Sequence, residues 1–489
     1  MFDLIIRNGL IFDGSGEEPF TASIAIKDDR IHHVGTITAS ACADIDATGL
    51  ALAPGFIDVH THDDRLVLIR PDMAPKVSQG VTTIVAGNCG ISLAPVLRND
   101  APVPPMTLLG QKPSDFFGNL TSYINAIKLN PCATNIVPFV GHSVIRMAAM
   151  EHTDRDSTAT ERCAMQALTR EAMDAGAFGV STGLYYPPAQ AASPAEVEAV
   201  LDIAAAHGGM QTTHMRDEGD HILAAMDEAL GSAKASGLPL VISHLKCAAP
   251  SIWGRAAKLL ARIDKAALEQ DVAFDVYPYD ASSTMLDPNR LNGSRRIVVS
   301  WSSTFPEMSG QDLQAIAACW CCSPQDAAQR LAPGGGIYFK MEERDIKRIL
   351  AHPLAMIGSD GLPHDVHPHP RLWGTFPRVL GHYVRKHGVM SLPEAIRRMT
   401  ALPADVFGLT DRGRIAEGHF ADLVLFNPTD IIDTATYEVP TSAARGIAAV
   451  LVNGKTVWNV EGTTNMRPGK VLTRGVPMQK LRSRRMQNG

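Results

Sequence analysis

The chain has 489 residues, of which 45% are hydrophobic and 20% are charged, and its formal net charge is −6. This length exceeds the usual size of one domain, so we expect one large domain with an accessory domain, or two to three domains. Acidic and basic residues are well mixed, and only the last dozen residues are distinctly basic. This charge pattern argues against a role at nucleic acid or at a membrane surface.

The sequence also lacks the usual signals for export and membrane insertion. The N-terminal segment has no basic region followed by an apolar core and a cleavage site, and no run of about 18 apolar residues predicts a transmembrane helix. The 8 cysteines are scattered without a disulfide framework, which is typical of a reducing compartment. We expect a cytoplasmic protein that is a monomer or a small homo-oligomer.

Short strands with tight-turn signals occur at both ends of the chain. Alternating apolar residues with Asn-Gly and Asp-Gly turns fill residues 1–53, and the same pattern returns after residue 416, with a turn at Asn453-Gly454. We predict one small β domain, a sandwich or barrel, built from residues 1–53 and 416–480. Residues 481–489 are expected to form a flexible tail.

Between these ends, residues 54–415 alternate apolar strand-like runs with alanine-rich helical stretches. The pattern predicts an α/β fold, a (β/α)₈ TIM-like barrel. Landmarks such as His60 and Cys89, or His214 and His244, are about 30 residues apart, the length of one strand–helix unit. The longer spacing between Tyr277 and Asp360 indicates an insertion at about residues 282–342. The predicted strands are residues 54–60, 81–87, 134–141, 177–182, 209–214, 239–244, 272–279 and 354–360.

Metal-ligand residue types end five of these strands. Because the carboxyl ends of barrel strands meet at one face, we expect their side chains to converge there. Imidazole, thiolate and carboxylate are the ligands that zinc prefers. The sequence therefore predicts a metal site, and its candidate ligands are His60, His62, Cys89, His214, His244 and Asp360.

The other cysteines and histidines do not lie at the ends of the predicted strands with the same spacing. We interpret Cys247, Cys321 and Cys322 as residues without a metal role. The role of His142, which follows the third predicted strand, stays open. The remaining histidines are expected at the surface or behind the site, namely His207, His221, His364, His367 and His369.

With these residues assembled, the chain resembles the amidohydrolase superfamily. The fourth strand, AFGVSTGLYYPP, has neither the lysine nor the glutamate that bridges two metals in many members, so Cys89 is the replacement candidate. Several segments together resemble the D-aminoacylase family, the N-acyl-D-amino-acid deacylases, over nearly the whole chain. These segments include PGFIDVHTHDD, GVTTIVAGNCGIS, TTHMRDEGDH, VISHLKC and GSDGLPHDVHPHPRLWGTFPRVLG.

The resemblance implies a ligand set and a substrate site. It implies one tightly bound Zn²⁺ on Cys89, His214 and His244. A second, weaker position would use His60, His62 and Asp360. It also implies substrate contacts from five residues, Tyr186, Lys246, Tyr277, Ser283 and Arg371.

The implied reaction hydrolyses the amide of an N-acyl-D-amino acid to a carboxylate and a free D-amino acid. Zinc would activate a water molecule and polarise the carbonyl. Asp360, the only carboxylate among the predicted cluster, would be the general base and then the acid. Arg371 and Lys246 would bind the substrate carboxylate, with Tyr277 and Ser283 as hydrogen-bond donors.

The preferred side chain of the substrate stays open. The insertion contributes a mixed set of basic, aromatic and apolar residues, which slightly favours broad or apolar specificity over D-glutamate or D-aspartate. Two other functions remain as alternatives. One is a cyclic amidase similar to dihydroorotase or hydantoinase, against which Cys89 and the missing lysine argue. The other is a catalytically silent scaffold, which would be expected to lose ligands.

Overall fold

The computed structural model describes residues 1–97 and 101–473, so the expected tail at residues 481–489 lies outside the described residues. In chain order its strands are β1 (Phe2–Ile11), β2 (Phe20–Lys27), β3 (Arg30–Gly35), β4 (Ala41–Asp46), β5 (Ala51–Pro54), β6 (Phe56–Asp58), β7 (Val81–Ala86), β8 (Asn135–Pro138), β9 (Val140–Gly141), β10 (Gly179–Gly183), β11 (Met210–His214), β12 (Leu240–Ile242), β13 (Val272–Val276), β14 (Ala281–Met285), β15 (Arg296–Ser302), β16 (Gly334–Phe339), β17 (Ala355–Ile357), β18 (Leu423–Phe426), β19 (Ile447–Val452), β20 (Lys455–Asn459) and β21 (Gly462–Thr463).

The helices lie mostly between the parallel strands. They are α1 (Leu66–Ile69), α2 (Ala74–Val77), α3 (Leu120–Leu129), α4 (His142–Ala149), α5 (Ala159–Asp174), α6 (Pro187–Gln190), α7 (Pro194–Ala206), α8 (Ile222–Ser236), α9 (Ala256–Ala267), α10 (Leu313–Cys319), α11 (Pro324–Leu331), α12 (Glu343–Leu350), α13 (Arg371–Arg378), α14 (Leu392–Met399) and α15 (Ala401–Phe407), and a π-helical segment, Val379–Lys386, follows α13. Within the described ranges, no helix has both the length and the apolar character needed to cross a membrane.

One nine-stranded sheet combines the two ends of the chain. Its order is β21-β20-β19-β18-β5-β1-β2-β3, and β4 also pairs with β1. The junction is the antiparallel pair β5 and β18, in which Pro54 lies opposite Leu423. Alternating apolar side chains give this sheet its own core, which contains Ile6, Ile24 and Leu425. The distant ends therefore meet through backbone hydrogen bonds.

Two parallel sheets form the middle of the protein, which has the mixed α/β architecture expected from the sequence. One has the order β6-β7-β8 and the other β17-β13-β12-β11-β10-β9. Only Phe139 separates β8 from β9, so the chain passes directly from one sheet to the other. The free edges also touch, since Asp360 N donates a hydrogen bond to His60 O at 2.7 Å. This contact lies at the carboxyl ends of β6 and β17.

Each of the eight strand-like runs contains a parallel strand, but most of these strands end earlier than the sequence predicted. For example, residues 354–360 were predicted as one strand, whereas β17 ends at Ile357. The backbone turns sharply at several predicted ligands, and φ is 55° at Cys89, 37° at His244 and 49° at Asp360. The pattern of apolar residues predicts which run is buried. It does not predict at which residue the backbone leaves the extended conformation.

A separate unit lies between β13 and α12. Strands β14, β16 and β15 form an antiparallel sheet in that order, and α10 and α11 pack beside it. Leu286, Val299 and Leu331 belong to its own apolar core. Its first strand continues almost directly from β13, which places Ser283 and Thr284 close to the carboxyl ends of the parallel strands.

Candidate metal centre and active site

The structure brings all six predicted ligands together in two overlapping groups. Their ligand atoms lie within 4.8 Å of one another in each group, and every member is buried. The first group is Cys89, His214 and His244, and the second is His60, His62, Cys89 and Asp360. Cys89 belongs to both groups and is therefore at the centre of the cluster.

The distances within the cluster are those of side chains that face one point. Cys89 Sγ lies 3.2 Å from His60 Nε2 and 3.4 Å from His244 Nε2. On the other side, His62 Nε2 lies 3.2 Å from Asp360 Oδ1. Histidine nitrogens and a thiol thus surround a common volume next to a carboxylate.

Glycines allow the turn that carries Cys89 to pack into the centre. This turn follows β7 and reads Gly87-Asn88-Cys89-Gly90. A Cβ atom on Gly183 would collide with the carbonyl oxygen of Cys89, and one on Gly87 would collide with the backbone of Phe139. Close backbone approach explains why small residues flank the thiol.

The cluster fits a bound metal ion. Both ring nitrogens of the buried His214 lack a hydrogen-bond partner of normal geometry among the described residues. Burial opposes ionisation of Cys89, but His60 and His244 outweigh it and hold the thiol pKa well below its ordinary value. A thiolate with imidazoles and a carboxylate is a donor set suited to zinc. Unsatisfied donors and an ionised thiol in a buried place are explained by a cation between them.

Two further carboxylates support the histidines, although Asp360 was expected to be the only carboxylate in the cluster. Glu218 Oε1 lies 2.9 Å from His244 Nδ1, and Asp275 Oδ2 lies 3.3 Å from His60 Nδ1. Such partners orient a ligand ring and increase its basicity. The sequence offered weak signals for both, because Glu218 follows His214 by four residues and Asp275 interrupts the apolar strand β13.

Asp360 is an ionised carboxylate with a fixed orientation. Its Oδ2 lies 2.9 Å from Arg371 Nη1. Burial opposes its ionisation, but Arg371, His244 and His62 together hold the pKa of Asp360 well below its ordinary value. The charged form is therefore available to accept a proton at neutral pH.

Three of the five predicted substrate residues line a cavity of about 40 Å³ next to the cluster, whereas Tyr277 and Arg371 are not among its lining residues. Tyr186, Lys246 and Ser283 line it together with His62, His214, His244 and Asp360. Arg371 lies behind this lining, with its guanidinium 4.6 Å from the ring centre of Tyr277. Lys246 Nζ contacts Glu218 Oε1 at 2.6 Å, so it already has one carboxylate partner.

A second cavity of about 480 Å³ adjoins the first. The two share Tyr185, Tyr186, Thr284 and Lys340. Arg290 also lines the larger cavity, with its guanidinium 3.8 Å from the ring centre of Tyr185. The larger cavity therefore gives the small one a partly basic, partly aromatic extension.

The structure places two histidines whose position the sequence left open. His142 Nε2 contacts Glu196 Oε1 at 2.8 Å and belongs to neither ligand group. His369 is buried rather than exposed, and its Nδ1 accepts a hydrogen bond from Arg371 N at 2.9 Å. It therefore lies behind the site and supports Arg371.

Comparison with known proteins agrees with this geometry. The model of the amidohydrolase family matches residues 44–284 and 311–458. The chain is 47% identical to a D-aminoacylase of Alcaligenes xylosoxydans xylosoxydans, over 97% of this chain and 98% of the relative. It is 46% identical to an N-acyl-D-aspartate deacylase of the same organism, over 97% of this chain and 95% of the relative.

Solved structures give the same result. A D-aminoacylase with a binuclear metal centre superposes with a TM-score of 0.94 at 46% identity, over 97% of this chain and 100% of that one. An N-acyl-D-glutamate deacylase from Bordetella bronchiseptica, complexed with zinc and a phosphonate inhibitor, gives 0.93 at 45% identity with the same coverage. The chain belongs to the amidohydrolase family, which confirms the resemblance seen in the sequence. It is a metal-dependent hydrolase.

Proposed function

We propose that the protein hydrolyses N-acyl-D-amino acids to a carboxylate and a free D-amino acid. The observation that carries this proposal is the position of Cys89, whose sulfur is shared by the two ligand groups. The near full-length relatives named above act on N-acyl-D-amino acids and are 46–47% identical. The cyclic amidase alternative lacks this support, and a silent scaffold would not be expected to keep all six ligands.

The metal is zinc in this proposal. Cys89, His214 and His244 would hold one ion tightly, and His60, His62 and Asp360 would form a second, weaker position. The donor set supports this choice, as does the zinc in the deacylase from Bordetella bronchiseptica. When bound, zinc activates a water molecule and polarises the scissile carbonyl.

Asp360 would move the proton. Its carboxylate lies beside His62 at the edge of the small cavity, where it can accept a proton from the attacking water. The same oxygen would then donate that proton to the leaving amine. Arg371 would keep the carboxylate ionised until it accepts this proton and would hold it in one orientation through both steps.

The substrate carboxylate would be bound by the charged and hydroxyl groups around the cavity. Lys246 offers a point charge and Arg371 a planar fork. Tyr277 and Ser283 would donate hydrogen bonds, and Tyr186 would close one wall. Because Arg371 contacts Asp360 as well, binding of the substrate carboxylate would be coupled to the orientation of the base.

For the side chain of the substrate, we favour broad or apolar specificity, with an acidic side chain as the second candidate. Met285, Leu286 and Tyr338 give the larger cavity an apolar wall. Lys340 favours the second candidate, because it lines both cavities and its ammonium group faces the Tyr338 ring, 5.0 Å from the ring centre, rather than a carboxylate among the described residues. Its burial lowers the pKa of the ammonium group, and an acidic side chain would relieve this cost.

We also infer the architecture that holds the site. The two parallel sheets would form one (β/α)₈ barrel over residues 54–415, supported by the contact between Asp360 N and His60 O. Residues 1–53 and 416–473 would form the small β domain, supported by the pairing of β5 with β18, while the rest of the predicted range, 474–480, lies outside the described residues. Residues 282–342 would be the insertion of this barrel.

A substrate screen tests the proposal. Purified enzyme is assayed with N-acetyl derivatives of apolar, aromatic and acidic amino acids in both the D and L forms, and bound metal is measured on the same sample. We expect bound zinc and release of D-amino acids only. Release of L-amino acids, or hydrolysis of cyclic amides alone, would overturn the proposal.

A further inference from the structure

Lys76 is a fully buried lysine that lies behind the candidate metal centre. It belongs to α2, and its side chain is 0% exposed. Lysine is almost never fully buried unless its charge is paired. Nothing in the reaction described above uses Lys76, so its burial calls for a separate explanation.

The ammonium group of Lys76 connects three elements. Its Nζ lies 2.8 Å from Asp58 Oδ2 at the end of β6 and 2.7 Å from Ser359 Oγ in the turn after β17. A third contact, of 3.2 Å, reaches Asp63 Oδ2, which directly follows His62. All four side chains are buried, and none of them belongs to the ligand groups.

These contacts join two strand ends that belong to different sheets. Asp58 Oδ1 accepts a hydrogen bond from Ser359 N at 2.8 Å, while β6 pairs with β7 and β17 pairs with β13. Ser359 directly precedes Asp360, and Asp58 is two residues before His60. The polar network therefore lies one or two residues before the point at which His60 and His62 contact Asp360.

Stability alone does not explain the network. Two carboxylates and an ammonium group pay a large desolvation penalty in a buried place, and apolar residues of similar volume often stabilise a fold as well or better. What a charged network adds is direction, because each hydrogen bond fixes both a distance and an angle. That property is useful where a carboxylate must be held against two imidazoles.

We propose that Lys76 is a positioning residue for the reaction, acting through Asp58 and Ser359 to hold Asp360 against His60 and His62. This inference rests on the proposed role of Asp360 as the base. In this proposal Lys76 sets the distance between the ends of β6 and β17. That distance in turn determines the 3.2 Å contact between Asp360 Oδ1 and His62 Nε2. It touches neither the substrate cavity nor a ligand side chain among the described residues.

The test uses Lys76→Met, which removes both connections, together with Ser359→Ala, which removes only the direct contact with Lys76 and leaves no buried charge unpaired. We expect kcat to fall about 10- to 100-fold, the range found when partners behind a metal site are removed. KM and the tightly bound zinc should stay unchanged. The matched control is Ser232→Ala, which removes a buried hydroxyl from α8. A kcat equal to that of the wild type in each of the two variants that folds would overturn the proposal, whatever the change in melting temperature.

A crystal structure of Ser359→Ala separates this proposal from the proposed function. If the wild type hydrolyses nothing in the substrate screen, the proposed function fails, and the positioning role is then judged from the structure alone. Displacement of Asp360 from His62 would support the role of the network. An unchanged contact between these two side chains would contradict it.

Discussion

Arg371 Nη1 lies 2.9 Å from Asp360 Oδ2, and Arg371 Nη2 donates a hydrogen bond to Ser283 O at 3.1 Å. One guanidinium group thus connects the proposed base to the backbone of the strand that lines the substrate cavity. Arginine suits this position because its planar fork makes two directed contacts at once. The pair gives Asp360 both its charge and its orientation.

Replacing Asp360 by asparagine should abolish turnover while leaving the tightly bound zinc in place. Asparagine keeps the shape of the side chain but cannot accept a proton, and general acid–base catalysis contributes about 100- to 10,000-fold. We expect kcat to fall within or beyond that range. Zinc content should match the wild type, because Cys89, His214 and His244 remain. Near-normal turnover would remove Asp360 from its proposed role.

Glu218→Gln should weaken metal binding. The glutamine cannot supply the negative charge that faces His244 Nδ1 at 2.9 Å, so the ring becomes a poorer ligand. Removing a partner of this kind lowers metal affinity about 10- to 100-fold. Competition with a chelator measures the change. The matched control is Glu228→Gln, which loses an ion pair with Arg216 outside the ligand groups, and the idea fails if both variants hold zinc equally.

The contrast between Asp360 and Glu218 shows what the sequence could predict. Asp360 ends an apolar run, 354–360, so its position among the ligands was predictable from pattern even though an insertion separates it from Tyr277. Glu218 lies in a polar loop, TTHMRDEGDH, in which several acidic residues are equivalent by sequence. Its contact with His244 depends on the path of the loop after β11, which no periodicity encodes.

Lys76 and the sheet formed from both chain ends show the same difference between features that depend on local sequence and features that depend on distant contacts. Turn signals and alternation predicted short strands at each end, because these are local properties. A buried lysine between two strand ends was not predictable, since burial of a charge depends on partners that are 18 and 283 residues away. The left-handed conformations at Cys89 and Asp360 were not predicted either, because they too depend on packing between distant segments.

Lys340→Met should change substrate preference rather than overall activity. Removing the ammonium group, which has no carboxylate partner among the described residues, takes away a charge partner for an acidic side chain, a hydrogen bond worth about 1.5–3 kcal/mol. We expect kcat/KM for N-acetyl-D-glutamate to fall about 10- to 100-fold, with a smaller change for N-acetyl-D-leucine. Lys347→Met on the partly exposed helix α12 is the control. Equal effects on the two substrates would show that Lys340 does not contact the side chain.

Protonation of Glu196 should make the protein less stable in acid, because the carboxylate then loses its charge. Burial opposes ionisation of Glu196, but His142 and Arg146 outweigh it and lower its pKa to about 2. Its stabilising effect is therefore complete above the ordinary pKa of about 4.5 and is lost as the pH falls towards 2. We expect the melting temperatures of wild type and Glu196→Gln to differ most at neutral pH and to converge in acid.

The control for this experiment is Glu198→Gln, a neighbouring substitution on α7 that leaves the ion pair with Arg146 intact. Its melting temperature should follow that of the wild type at every pH. A constant gap between wild type and Glu196→Gln from pH 7 to pH 3 would show that this carboxylate does not titrate with folding.

The most direct test of the metal centre compares Cys89→Ala with Cys132→Ala, since both remove a buried thiol and Cys132 belongs to neither ligand group. Zinc content and hydrolysis of an N-acetyl-D-amino acid are measured on the same preparations. We predict that Cys89→Ala loses tight zinc and activity together, whereas Cys132→Ala keeps both. A Cys89→Ala enzyme that retained its zinc and its turnover would contradict the account.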